Sequence, residues 1–363
     1  MNILDYLSWR NDVPFTISKF NEVDSLILSE LAYIDFEKIV ESSSISLQDV
    51  NDEFFLYHNR KEIEEEATFT KRAPLLFKDM LLGERFSSMK LSHYINEIEE
   101  ETNKQFSAIT FLFDHFIFIA FRGTDQSVVG WKEDFLLSSM SDTESQKAAV
   151  SYINRVGHYY SDKDILVGGH SKGGHLAVYG ATYCDQDIKK RIKNVYSHDG
   201  PGFRHEVLQS KEYEELKSRI IHIVPDMAAV GLMLSYEKEA IVIKSDALGL
   251  FQHDAFTWQT ESHQFQRASL SKLSTLFSIG LGSWLEDIDD NTRKEVVNTT
   301  FSLIEATGHK TIGDFKEKKL KSLSMIIMES KKLPASKRKE LLTCMSELIK
   351  SESQAFKDAM TTR

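Results

Sequence analysis

The stretch Val167-Gly168-Gly169-His170-Ser171-Lys172-Gly173-Gly174-His175 constrains this chain more than any other. A short apolar run, Asp164-Ile165-Leu166-Val167, precedes it and reads as a buried strand. Behind it, Leu176 to Tyr183 reads as a helix, with Gly173, Ala177 and Ala181 along one face. Strand, sharp turn and small-faced helix are what a G-x-S-x-G nucleophile elbow requires. Gly169 and Gly173 keep Cβ atoms out of a crowded bend, and the small helical face permits close packing on a sheet. Ser171 would then stand at the strand's carboxyl end beside helix N-terminal N–H groups, where a developing oxyanion is best stabilised. A glycine-rich turn with a capping serine is the plainer alternative. The choice between them depends on whether a base, an acid and an oxyanion loop occur in compatible order.

Composition narrows the classes. The 363 residues are enough for one large domain or a domain with appendages, and 41% hydrophobic with 27% charged residues is ordinary for a globular protein. A net charge of −11 argues against a nucleic-acid partner, which needs a broad basic surface. Cys184 and Cys344 lie in unrelated contexts and form neither a metal-ligand spacing nor a disulfide framework, so no metal is expected and a reducing compartment is. The start, Met1 to Tyr6, has no basic and apolar leader pattern. No apolar run approaches the roughly 18 residues of a spanning helix. A cytoplasmic location is the expectation.

Taken in order, residues 1–104 read as a mostly helical region packed on the core. Val23, Leu26, Ile27, Leu31 and Ile34 form a stripe at helical spacing, and the acidic runs Glu62–Glu66 and Glu97–Glu101 read as solvated helix faces. Residues 105–264 read as an α/β core. Two strands, Phe106–Phe113 and Phe116–Phe121, form a hairpin, and a helix follows around Trp131 to Leu137. Another helix spans Asp142 to Tyr160, and further strands lie at Asn194–His198, Arg219–Val224 and Ala240–Lys244. Alternating strands and helices imply a mostly parallel sheet covered on both faces. Residues 265–363 read as helices at Leu270–Trp284, Asn291–Thr307, Phe315–Ser330 and Ser336–Phe356. Their lysines and arginines read as a solvated surface, with weak contact to a membrane surface the lesser expectation. Oligomeric state is not legible.

For ester chemistry a serine needs a base, an acid that orients the base, and oxyanion donors. His253 follows the last clear strand and a loop containing Gly249, and can swing over the sheet's carboxyl edge. His175, one turn past Ser171 on the same helix, reads as structural, and His198 and His222 lie in presumed strands. Asp226, after Val224-Pro225 at a strand end, is the favoured acid. Asp199 is the second candidate, although Asp199-Gly200 also reads as a plain turn, and Asp246 and Asp254 are lesser ones. The Lys172 N–H follows from the elbow geometry, and the Thr124 N–H, after Phe121-Arg122-Gly123, is the second oxyanion candidate. Arg122 could bind a substrate anion or pair with Asp134 to hold that loop.

Phe121-Arg122-Gly123-Thr124 with Trp131 and Asp134, followed by Gly169-His170-Ser171-Lys172-Gly173, resembles the core of class-three lipases. The whole chain more closely resembles the bacterial Mbeg-like family, through Asp5-Tyr6-Leu7-Ser8-Trp9, Asn21-Glu22-Val23-Asp24, Val230-Gly231 and Gln252-His253-Asp254. The resemblance implies an α/β-hydrolase fold with helical amino- and carboxyl-terminal additions. It implies Ser171 as nucleophile, Asp226 as acid, His253 as base, and donors at Thr124 and Lys172. The expected activity is cleavage of a carboxylic ester (a lipid, acyl ester or thioester) without a cofactor. The rival expectation is an inactive scaffold of the same fold that binds a ligand or protein.

Overall fold

The computed structural model describes residues 1–65, 72–99, 101–124, 132, 142–234, 236, 239–272, 274–275, 289–305 and 339. The expected helices at Trp131–Leu137, Phe315–Ser330 and Ser336–Phe356, together with Asp134, lie outside the described residues apart from Lys132 and Lys339, as does most of Leu270–Trp284. Two compact units result. The first comprises residues 1–97, 106–123 and 145–271, and the second residues 98–105, 124–144 and 272–363.

Helices α1 (Ile3–Arg10) and α2 (Glu22–Leu31) open the chain. Strand β1 (Ile45–Ser46), α3 (Leu47–Tyr57), α4 (Arg60–Glu65) and α5 (Leu76–Leu81) follow. Then come β2 (Lys90–Glu99), β3 (Lys104–Leu112), β4 (Phe116–Phe121), α6 (Glu144–Tyr159), β5 (Asp164–His170), α7 (Lys172–Tyr183), α8 (Gln186–Lys189) and β6 (Ile192–His198). The remainder is α9 (His205–Leu208), α10 (Lys211–Leu216), β7 (Ile220–Pro225), β8 (Ile241–Ile243), the short pair β9 (Thr260–Glu261) and β10 (Gln264–Phe265), and α11 (Asp290–Glu305). No described helix is long and apolar enough to cross a membrane.

The central sheet has eight strands in the order of the sequence. β3 and β4 form the expected antiparallel hairpin, and from β4 to β8 neighbouring strands run parallel. The apolar run of β4 divides by parity, as a strand buried on both faces must. Ile117, Ile119 and Phe121 join the cluster containing Val156, Leu176 and Ala177 of α6 and α7. Phe118 and Ala120 join the cluster containing Leu26, Ile27 and Leu31 of α2.

Two expectations for the amino-terminal region change. Lys90–Glu99 is a strand of the central sheet, its first two residues paired antiparallel with β1 and β3 its other neighbour, so Glu97-Ile98-Glu99 belongs to a strand and not to a helix. The acidic run hid this because strand membership is decided by the neighbouring strand's hydrogen bonds, not by local propensity. Helix α2, read as having one apolar stripe, is buried from Val23 through Leu31, with Asp24, Ser25, Ser29 and Glu30 included. Asn21 starts it with a full capping box, its side chain accepting from the N–H groups of Val23 and Asp24. The buried polar groups have partners: Asp24 accepts from Arg85 Nε at 2.8 Å and from the Tyr6 hydroxyl at 3.0 Å. Arg85 also donates to the carbonyls of Val13, Ser18 and Lys19, tying the chain between α1 and α2 to the core. In the second unit, Asp289 caps α11 by accepting from Asn291 and Thr292.

Candidate active site

Ser171 joins β5 to α7 with φ 58° and ψ −133°, a conformation that costs an L-residue of the order of 1–3 kcal/mol. The surrounding structure enforces it. A Cβ at Gly169 would lie 2.2 Å from the Gly173 carbonyl carbon, and one at Gly173 would lie 2.1 Å from the Phe121 carbonyl oxygen. Both obstacles are backbone and cannot swing away. Gly173→Ala is therefore expected to lose about 2 kcal/mol or more of stability in urea denaturation. A loss below about 0.5 kcal/mol would mean that the helix does not press on β4 as tightly as described.

Lys172 opens α7, so its N–H belongs to the outward-facing group at the helix's amino-terminal end. Gly123 ends the first unit's run after β4 and lies against the elbow. A Cβ there would meet the His170 carbonyl oxygen at 2.6 Å and Ser171 Cβ at 3.0 Å. Thr124 is the next residue and begins the 124–144 segment of the second unit. Arg122 is buried and its Nη2 donates to Asn96 Oδ1 at 3.0 Å.

His253 closes a one-turn 3-10 segment, Gly249–His253. Gly249 has φ 57°, which a glycine adopts without strain. Gln252 braces the segment, accepting from the Met227 N–H and donating to the Ala247 carbonyl. The His253 ring packs 4.7 Å from that of His170, the residue before Ser171. Its Nδ1 bonds Asp199 Oδ2 at 2.6 Å.

The carboxylate facing His253 is thus Asp199, the second candidate of the sequence, and not Asp226, the favoured one. Asp199 is buried at the end of β6, the strand beside β5, and its φ of 49° turns the side chain out of the strand direction. Its second oxygen accepts from the Gly231 N–H at 3.0 Å. Asp226 lies one strand further away, after β7. Its N–H donates to the Ile243 carbonyl and its own carbonyl accepts from the Ser271 N–H. Asp246 accepts from Gln259 Nε2, while Asp254 caps the next turn at the Phe256 N–H and pairs with Arg72 at 3.6 Å.

The other histidines have different settings. His175 is buried, stacked on Phe203, with Nδ1 at 3.0 Å from the Gly202 carbonyl. His198 shares a 2.7 Å bond with the Ser25 hydroxyl, and burial pushes its pKa down to about 3. His222 stacks on Tyr236, and burial lowers it to about 4 against the opposing pull of Asp199. Burial, and secondarily His253 and His198, hold His170 well below its ordinary value. Glu30 approaches His170 Nδ1 at 3.4 Å, yet burial and then Asp254 push its carboxyl well up.

These depressed values have a consequence for stability. His198 titrates near 6.5 when unfolded and near 3 when folded, so the unfolded chain binds the extra proton between those limits. Its contribution is complete above pH 6.5 and is lost as pH falls toward 3. The difference in unfolding free energy between wild type and His198→Gln should be flat above pH 6.5. Below it, the difference should shrink by on the order of 1 kcal/mol per pH unit. A flat difference down to pH 4 would contradict the burial of this imidazole.

Sequence reasoning missed Glu30 and Tyr33, and it ranked Asp199 below Asp226. Nothing local marks the first two, since they reach the site only because α2 packs on β5. Among the described residues, metal-ligating side chains group at His158, Asp185 and Asp187, all exposed beyond the far end of α7. Exposed Leu248 and Phe251 flank the His253 turn.

Similar solved structures include Lip2 lipase from Yarrowia lipolytica, 14% identical over 51% of this chain and 72% of that one, with a TM-score of 0.32. M37 lipase is 14% identical over 69% of this chain and 84% of its own, with a TM-score of 0.38. The Rhizomucor miehei lipase propeptide complex is 16% identical over 56% and 70%, with a TM-score of 0.33. No curated protein sequence matches the chain. The fold, a mostly parallel sheet with the β5–Ser171–α7 elbow, is the α/β-hydrolase fold. A family model described as Mbeg1-like matches residues 80–302, more than half the length, and the chain belongs to that family.

Proposed function

We propose that this protein is a serine hydrolase of carboxylic esters, with Ser171 as nucleophile, His253 as base and Asp199 as acid. The observation that carries the reading is the 2.6 Å contact between His253 Nδ1 and the buried Asp199 carboxylate, formed by a histidine packed on the residue before a strained serine. In this mechanism Ser171 Oγ attacks the ester carbonyl carbon and its proton passes to His253 Nε2. Asp199 holds the tautomer with hydrogen on Nδ1 and stabilises the imidazolium that forms. The Lys172 N–H receives the oxyanion, with the Thr124 N–H, one peptide bond beyond Gly123, as second donor. The proton then leaves on the departing alcohol or thiol, and water, deprotonated by the same imidazole, releases the acyl group from Ser171. No step calls on a cofactor.

The cytoplasm is the proposed location. It suits a chain with only two cysteines, of which Cys184 is buried and unoxidised with its thiol pushed up to about 12. A fluorophosphonate probe tests the activity. It should form one adduct, on the peptide containing Ser171. A folded protein that takes no label would instead be the inert scaffold, binding ligands without turning them over.

A further inference from the structure

A cavity of about 420 Å³ lies among the amino-terminal helices. Tyr33, Ile34, Phe54 of α3, Ile63 of α4 and Pro74 supply its apolar lining, while Asp35, His58, Asn59 and Glu62 bring polar groups to it. Phe54 and Pro74 are buried, whereas Asp35, His58, Asn59 and Glu62 are exposed, so an apolar floor meets a polar rim that includes two carboxylates.

Two links connect this cavity to the reacting groups. The Tyr33 hydroxyl is 3.2 Å from His170 Nδ1. A Cβ placed on Gly123 would fall 2.1 Å from that hydroxyl and 3.0 Å from Ser171 Cβ, so little more than the width of a methyl group separates Tyr33 from the nucleophile's side chain. On the other side Arg72, two residues before Pro74, pairs with Asp254, the residue after His253. One lining residue, Tyr33, thus contacts the residue before Ser171, and Arg72, close in sequence to the lining Pro74, contacts the residue after His253.

The chemistry of the lining selects the occupant. An apolar floor favours a hydrocarbon, and the rim carboxylates repel anionic groups. A methylene needs about the space of a water molecule, roughly 30 Å³, so the volume suits a single chain of the order of ten carbons. We propose that this cavity receives the acyl chain of a neutral, medium-chain ester whose carbonyl lies at Ser171. The inference rests on the hydrolase reading above and gives it a substrate class. Tyr33 is then the residue at which the acyl chain turns from the nucleophile into the helical region.

The test is chain-length selectivity, the ratio of kcat/KM for nitrophenyl octanoate to that for nitrophenyl acetate. Ile63→Trp, which fills the cavity from α4, should lower the ratio at least tenfold, and Ile63→Asp should lower it as well. Leu82→Trp, at an exposed position outside the lining, should leave it unchanged. In parallel, 1-octanol is titrated calorimetrically into Ser171→Ala protein, with and without Ile63→Trp, where it should bind and weaken at least tenfold. An unchanged ratio in folded Ile63 variants would overturn the proposal, as would octanol binding indifferent to Ile63→Trp. Octanol binding that depends on Ile63, in a wild type that turns over no ester, would keep the apolar site and remove the hydrolase reading.

Discussion

Ser171→Ala is expected to lower ester turnover by about four to six orders of magnitude, down to the rate supported by binding and oxyanion donors alone. The size follows from the chemistry: without Oγ no acyl-enzyme forms, and water must attack from a position that the elbow was not shaped to hold. The substitution removes one oxygen from a residue whose backbone is fixed by its neighbours. Ser171 N–H donates to the His198 carbonyl at 2.9 Å, and its own carbonyl accepts from Gly174 N–H at 2.9 Å, both independent of the hydroxyl. Stability should therefore stay within about 1 kcal/mol of wild type, so that loss of rate reports loss of nucleophile. The measurement is nitrophenyl-ester hydrolysis with active-site titration. A variant retaining more than a hundredth of the wild-type rate would remove Ser171 from the chemistry.

Asp199→Asn against Asp226→Asn is the second decisive comparison. Asparagine at 199 tolerates the positive φ and can still accept from the Gly231 N–H. Toward His253, however, it can present an N–H where a carboxylate oxygen stood. The imidazole would then carry its proton on Nε2 and could not accept one from Ser171. A fall in kcat of about 10⁴ is expected, with KM little changed. Asp226 meets the sheet through its backbone groups, to Ile243 and Ser271; these survive substitution, and activity should stay within about threefold. Equal losses in both variants, or the larger loss at Asp226, would return the acid to the strand-end position that the sequence favoured.

The sequence by itself determined the elements whose signals are local. The glycine, serine and apolar pattern around Ser171 specifies strand, bend and helix because backbone sterics at that bend admit little else. The β3–β4 hairpin follows from two aromatic-rich runs joined at Asp114-His115, and the Asn21 capping box is a contact between residues three apart. Tertiary structure decided what depends on strand order. Sequence places Asp199 and Asp226 alike after apolar strands, but β6 lies beside β5 and β7 one strand further out. The positive φ at Asp199, which its Asp-Gly context disguised as an ordinary turn, aims the carboxylate at His253. Strand β2 escaped notice because its charged tail reads as helix surface until the rest of the sheet is in place around it. Glu30 and Tyr33 carry no mark at all. They come beside His170 and Ser171 because α2 is buried on the sheet, and a contact across well over a hundred residues is set by packing rather than by any local preference.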